Sequence, residues 1–298
     1  GSYLLKASES SGTLFAFDEG HVDAAENQAV ELVLDDVPLP RELRDGNNQS
    51  FLAQEQLQVG GTGQFALRRY TTNVVVGTAS SQQPSDSGAE LRLGGRELRI
   101  RAFVQGSAVT FDKRLYIPAD GYFARYVEIL ENTGDTTVTV TLNRHGISGI
   151  GSGTFNYRVS ETSDGDPVLS TADRWVRTTL GTSNPNPLVS VFTGEGGVAP
   201  TLASATTVTR TQWDGIPLAP GERVAFLFLE NVGGSTAVAE RLVQLPPEVL
   251  IGLTAEDRAA IVNFVVPENS ALSPFPTIHG AVTFGPVTPA PRAQITVT

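Results

Sequence analysis

The chain has no cysteine, so it can hold neither a disulfide framework nor a thiolate metal site. At 298 residues it is long enough to bury a core without such staples. It has no methionine either, and it opens Gly1-Ser2, as expected of a segment cut from a longer precursor. Lysine is nearly absent, with Lys6 and Lys113 alone among 21 basic residues. The net charge of -11 comes without any basic cluster, which argues against a nucleic-acid partner and against anionic lipid. No apolar run reaches the length of a membrane-spanning helix. No phosphate-binding loop is present, because "GIGSGT" lacks the lysine that such loops carry, and no nucleophile-elbow spacing occurs.

What is abundant is strand and turn chemistry. Thr, Ser, Val and Gly are abundant, and charged residues make up 18%. In "QAVELVLDDVPLP", Val30, Leu32 and Leu34 share one face at period two. Leu91 and Leu93 continue into Leu98 and Ile100 across Gly94-Gly95, a hairpin signal. The stretch from Arg114 to Asn143 is the most patterned. It predicts a three-strand meander, with turns at Ala119-Asp120-Gly121, where glycine can take positive φ, and at "ENTGDT". The character changes at Ser235. Val238, Leu242 and Leu245 are spaced for a helix, Pro246-Pro247 ends it, and Thr254 with Asp257 reads as a capping box opening a second helix. These patterns predict a mainly β protein, a large antiparallel β-sandwich with two short helices near the C-terminal end. Residues 1–266 form that domain, 267–277 a linker, and 278–298 a further β segment.

Two stretches carry a resemblance. "VTFDKRLYIPADGYFARYVEILENTGDTTVTVTL", "STADRWVRTTL" and "TQWDGIPLAPGERVAFLFLEN" resemble parts of the bacterial supersandwich domains shared by galactose mutarotase-like proteins and polysaccharide lyases. The segment from Ile278 to Thr298, through Gly280, Val282, Pro291, Ala293 and Val297, resembles the start of a carboxypeptidase-regulatory-like module of transthyretin type. The first resemblance implies a fold, and the second implies a chain that continues as a longer surface protein.

Candidate chemistry is sparse. His145 in "LNRHG" is the best placed of three histidines, since mutarotase-type enzymes use histidine with a carboxylate base around a sugar; its plainer role is strand-end packing. His21 and His279 fall in expected loops, and the three show no metal-ligand spacing. Trp175, Trp213 and Tyr122 could stack on a sugar ring, or could simply pack in the core. Asp164 and Asp166 in "SDGDP" form an oxygen-rich loop suited to calcium, the one cofactor for which the sequence offers a place, or else an acidic solvated turn; "DEGHVD" and "LDD" read the same way. Without a constellation that spells out a reaction, the sequence favours a non-enzymatic structural or adhesion module of a secreted or cell-surface protein. The alternative is a domain that binds or processes polysaccharide. Partners would accordingly be polysaccharide or other surface proteins.

Overall fold

Alternation along the strands decides the layers. In a computed structural model, residues 2–8, 14–21, 35–36, 41–53, 59–60, 71–77, 79–81, 89–148, 157–180, 187–206 and 208–267 are described. Two small sheets come first. One holds β1 (Ser2–Ser8), β2 (Leu14–His21) and β3 (Asp35–Asp36), and the other β4 (Arg41–Arg44), β5 (Ser50–Ala53) and β6 (Val59–Gly60). The chain continues through β7 (Thr71–Val76), β8 (Ala79–Ser81), β9 (Glu90–Arg92), β10 (Glu97–Phe103), β11 (Val109–Tyr116), β12 (Ala124–Asn132) and β13 (Val138–Ser148). It then forms β14 (Tyr157–Thr162), β15 (Trp175–Leu180), β16 (Leu188–Val191), β17 (Leu202–Ala205), β18 (Val208–Leu218) and β19 (Arg223–Val232). Helices α1 (Thr236–Val243) and α2 (Ala255–Ala260) follow, with a 3-10 turn at Pro247–Leu250 between them.

The large sheet has eight strands in the order β14-β15-β16-β19-β12-β11-β10-β9, and the facing sheet has five, β17-β18-β13-β7-β8. Every named strand pair is antiparallel. The molecule is therefore the expected mainly β antiparallel sandwich with two short C-terminal helices. No helix among the described residues is long and apolar enough to cross a membrane.

Two cores follow from the period of two. Phe111, Tyr126, Leu130, Phe226 and Phe228 of the large sheet meet Val74, Val140, Leu142 and Trp213 of the facing sheet. On the other side, Val127, Ile129, Leu227 and Leu229 meet Leu242 of α1, Val249 and Leu250 of the turn, and Phe264. The order is thus facing sheet, large sheet, helix layer. β12 and β19 are buried almost throughout because they are covered on both faces, and the charged residues they carry, Arg125, Glu128 and Glu230, are buried with them.

Charge pairs fasten the helix layer. The Thr254 hydroxyl accepts from the Asp257 N–H at 3.0 Å and the Asp257 carboxylate accepts from the Thr254 N–H at 3.1 Å, which is the expected capping box. The same carboxylate accepts from Arg114 Nη1 at 2.8 Å, and Arg114 also reaches Asp112. Arg125 spans the layers too. It pairs with Glu97 at 2.6 Å and donates to the carbonyls of Val249 and Ile251.

The expected meander is corrected. β11 and β12 do pair as a hairpin, but β13 leaves for the facing sheet after "ENTGDT". Its apolar residues Val138, Val140 and Leu142 face the sandwich interior from the opposite side. Gly121 is also corrected, since its φ is not positive. Its requirement is steric, because a Cβ there would lie 2.3 Å from Pro118 Cγ. The "DEGH" run is the end of strand β2 rather than a turn. Apart from Pro267, the linker expected over 267–277 lies outside the described residues, and so does the transthyretin-like segment over 278–298.

Candidate functional site

The facing sheet presents a polar outer surface. Leu142, Thr211 and Trp213 are buried toward the sandwich interior, so alternation turns Asn143 and His145 of β13 outward, with Arg210, Gln212 and Asp214 of β18. Register places His145 opposite Arg210 on one side and Thr71 on the other. Asn143 lies between Gln212 and Asn73. A bulge separates Trp213 from Ile216, with Gly215 at φ 70° supplying the extra residue. That bulge lets both Trp213 and Ile216 pack inward while Asp214 stays outside.

A continuous hydrogen-bonded row crosses this surface. Arg210 Nη2 donates to Asn143 Oδ1 at 3.1 Å and to Gln212 Oε1. Gln212 Nε2 donates to Asp214 Oδ1 at 2.6 Å, and the Thr201 hydroxyl donates to Asp214 Oδ2 at 2.8 Å. The Thr201 bond, with those of Gln212 and Thr141, holds the Asp214 carboxyl below the usual carboxylate range. Burial and then the Arg210 charge push His145 down, so it is a neutral imidazole at pH 7, able to donate and accept. Arg210 Nε and Asn73 Oδ1 lie in this region without hydrogen-bond partners. No carboxylate pairs with Arg210 among the described residues, unlike Arg99, Arg114 and Arg125 of the large sheet.

Directly behind the row, inside the sandwich, lies a charged belt. Arg144 stacks 4.1 Å from the Phe228 ring and 5.0 Å from the Tyr126 ring, and reaches Glu230 at 3.4 Å. Glu128 accepts from the Thr72 hydroxyl at 2.5 Å and sits 3.9 Å from Lys113 Nζ. Burial pushes the Lys113 ammonium down to about 8.

The structure does not gather the other sequence candidates around His145. Trp213 is 1% exposed, packs between Phe226 and Phe228, and donates its indole N–H to the Val198 carbonyl. Trp175 is equally buried, faces the helix layer and donates to Glu240 at 2.7 Å. Neither ring is available as a stacking platform. Tyr122 precedes β12 on the helix side, with Arg241 5.6 Å over its ring. Asp164 and Asp166 close the turn between β14 and β15, accepting from Thr162, Asp166 N–H and Val168 N–H. The described residues contain no group of three or more His, Asp or Glu placed to hold a metal ion. His21 is in β2 and His279 lies outside the described residues. What sequence reading missed is the set of residues that share the sheet face of His145, namely Asn73, Asn143, Arg210 and Gln212. A signal existed in "TRTQWD", where Arg210, Gln212 and Asp214 alternate with buried Thr211 and Trp213.

The chain is thus a sandwich with a polar sheet face outside and a helix layer opposite. No protein-family model matches it, and no curated protein does. Among solved structures it is distantly similar to a galactose mutarotase-like protein from Lactobacillus casei, with 7% identity over 77% of this chain and 100% of that one at a TM-score of 0.38. A putative aldose 1-epimerase from Escherichia coli K12 gives 9% identity, 78% and 99% coverage and 0.38. A putative kojibiose phosphorylase from human microbiome gives 10% identity, 71% and 33% coverage and 0.45. The chain also covers 32% of the length of a polysaccharide lyase.

Proposed function

We propose that this chain is a non-catalytic carbohydrate-recognition module of a secreted or surface protein, binding through the outer face of the facing sheet. The observation that supports it is Arg210. Its guanidinium is held by two neutral amides, and among the described residues no carboxylate touches it directly, Asp214 acting on it only through Gln212 and at longer range. A cation fixed by buried Asn143 and flanked by the part-exposed Gln212 and neutral His145 offers donors and acceptors to a surface rich in hydroxyls. Binding is favoured over turnover by the state of Asp214, the carboxylate in this row among the described residues. Both Asp214 oxygens already accept hydrogen bonds and its proton affinity is lowered, which makes it a poor general base or acid.

The experiment is isothermal titration against soluble xylan, galactan, β-glucan and polygalacturonate, followed by an assay for released sugar. Binding to one of these without release is expected. Arg210→Ala should weaken it roughly tenfold or more, as removal of a charged hydrogen-bonding group costs about 1.5–3 kcal/mol. Unchanged affinity in both Arg210→Ala and Asn143→Ala would sink the proposal.

A further inference from the structure

A cleft of about 350 Å³ opens on the opposite side of the molecule, lined by Arg174, Gly194, Glu195, Glu240, Val243, Gln244 and Val265. Its walls are set by close packing. Gly194 and Gly197 lie so near the 263–264 backbone and the Phe264 ring that a Cβ on Gly197 would sit 2.1 Å from the Asn263 carbonyl oxygen. The Gly194 N–H donates to that carbonyl at 2.8 Å, and the Val198 N–H donates to Val262 at 2.8 Å. The cleft wall is thus a short, rigid pairing of two segments.

The polar groups in the cleft are of mixed kind. Glu240 Oε1 is fixed by the indole N–H of buried Trp175 at 2.7 Å. Its Oε2 has no partner among the described residues and is left to accept from a ligand. Arg174 sits 3.8 Å from exposed Glu195, a loose pair that leaves guanidinium donors available. Gln244, exposed at the end of α1, brings an amide that both donates and accepts. Val265 is 63% exposed and, with Val243, gives the cleft an apolar patch. Acceptors, donors and a small aliphatic surface around a volume near the lower end of ligand pockets match a saccharide, whose rings carry hydroxyls at the edge and C–H groups on the face.

We infer that this cleft is a second saccharide site, and that the chain is bivalent, joining two glycan chains across its layers. The inference rests on the carbohydrate reading of the sheet face. The cleft belongs to the helix layer, and the Arg210 row lies on the far side of both sheets. Sites on two different layers can each hold a separate glycan chain, and so can cross-link them. Such an arrangement gives adhesion through avidity even when each site is weak.

The test uses the full chain with soluble xylan, galactan, β-glucan and polygalacturonate, reading both affinity and turbidity. Glu240→Gln keeps an acceptor for the Trp175 indole, Gln244→Ala removes the amide, and Val265→Trp fills the cleft from an exposed position. Each variant is first checked by thermal melting. The wild type should form a precipitate with one polysaccharide at intermediate ratio and redissolve at excess protein. The cleft variants and Arg210→Ala should each still bind but lose precipitation, with retention on a glycan-coated surface falling at least tenfold. Precipitation unchanged in all three cleft variants overturns bivalency and leaves the sheet face standing. Precipitation unchanged in Arg210→Ala instead removes the sheet face. Absence of binding to all four polysaccharides overturns both.

Discussion

Lys113 gives the sharpest physical test of this fold. It is 2% exposed, its Nζ has no hydrogen-bond partner, and its nearest counter-charge is Glu128 at 3.9 Å. The other charge facing it is Arg144 from the opposite sheet, which is itself paired with Glu230. Burial dominates and lowers its pKa from 10.5 to about 8. The folded protein therefore binds fewer protons than the unfolded chain between those values. Stability should rise as pH climbs from about 8 toward 10.5, by about 3 kcal/mol at one pKa unit per 1.36 kcal/mol. Below pH 8 the penalty is fully present. Urea unfolding at steps from pH 7 to 10.5 measures this, with Lys113→Met/Glu128→Gln as the reference that lacks the pair and cancels tyrosine ionisation. Lys113→Met alone leaves Glu128 buried without a cation and should cost about 3–5 kcal/mol, whereas the double variant should recover most of the loss. A wild-type-minus-double difference that stays flat from pH 7 to 10.5 would refute the reasoning.

Three further outcomes follow. Asp257→Ala removes the N-cap partner and leaves Arg114 short of one buried carboxylate, so it should cost about 3–5 kcal/mol in urea unfolding. Arg114 holds the Asp257 carboxyl below its usual value, so that share of stability is present above the ordinary carboxylate range and should fade as pH falls below it; an acid titration of wild type against Asp257→Asn reads this. Gly197→Ala puts a Cβ into the Asn263 backbone and should lower the melting temperature by several degrees, while Gly165→Ala, at a turn with open space, reports the cost of positive φ alone.

Much of the fold was legible in order along the chain. The apolar alternation of β10 to β13, the Gly94-Gly95 hairpin and the Thr254–Asp257 cap all depend on neighbours within a few residues, which is the range a sequence displays. The route of β13 was not legible. A strand's period says which residues share a face, and nothing in it says whether the next strand pairs or crosses to another sheet. The tryptophans show the same limit, for Trp175 and Trp213 read alike as platforms or core, and only burial on opposite sides of the large sheet separated them.

What the sequence by itself determined was the class: a cysteine-free, acidic, turn-rich chain with period-two apolar runs becomes an antiparallel sandwich, because each run must bury one face. His145 as a point of interest was also visible. Its surroundings were decided only by tertiary structure. Asn73, Asn143, Arg210 and Gln212 come from three strands separated by up to 139 residues, the span from Asn73 to Gln212, and they meet because register aligns them on one sheet face. Register is set by long-range pairing and by the Asp214–Gly215 bulge, so the site exists only once the sheet has closed.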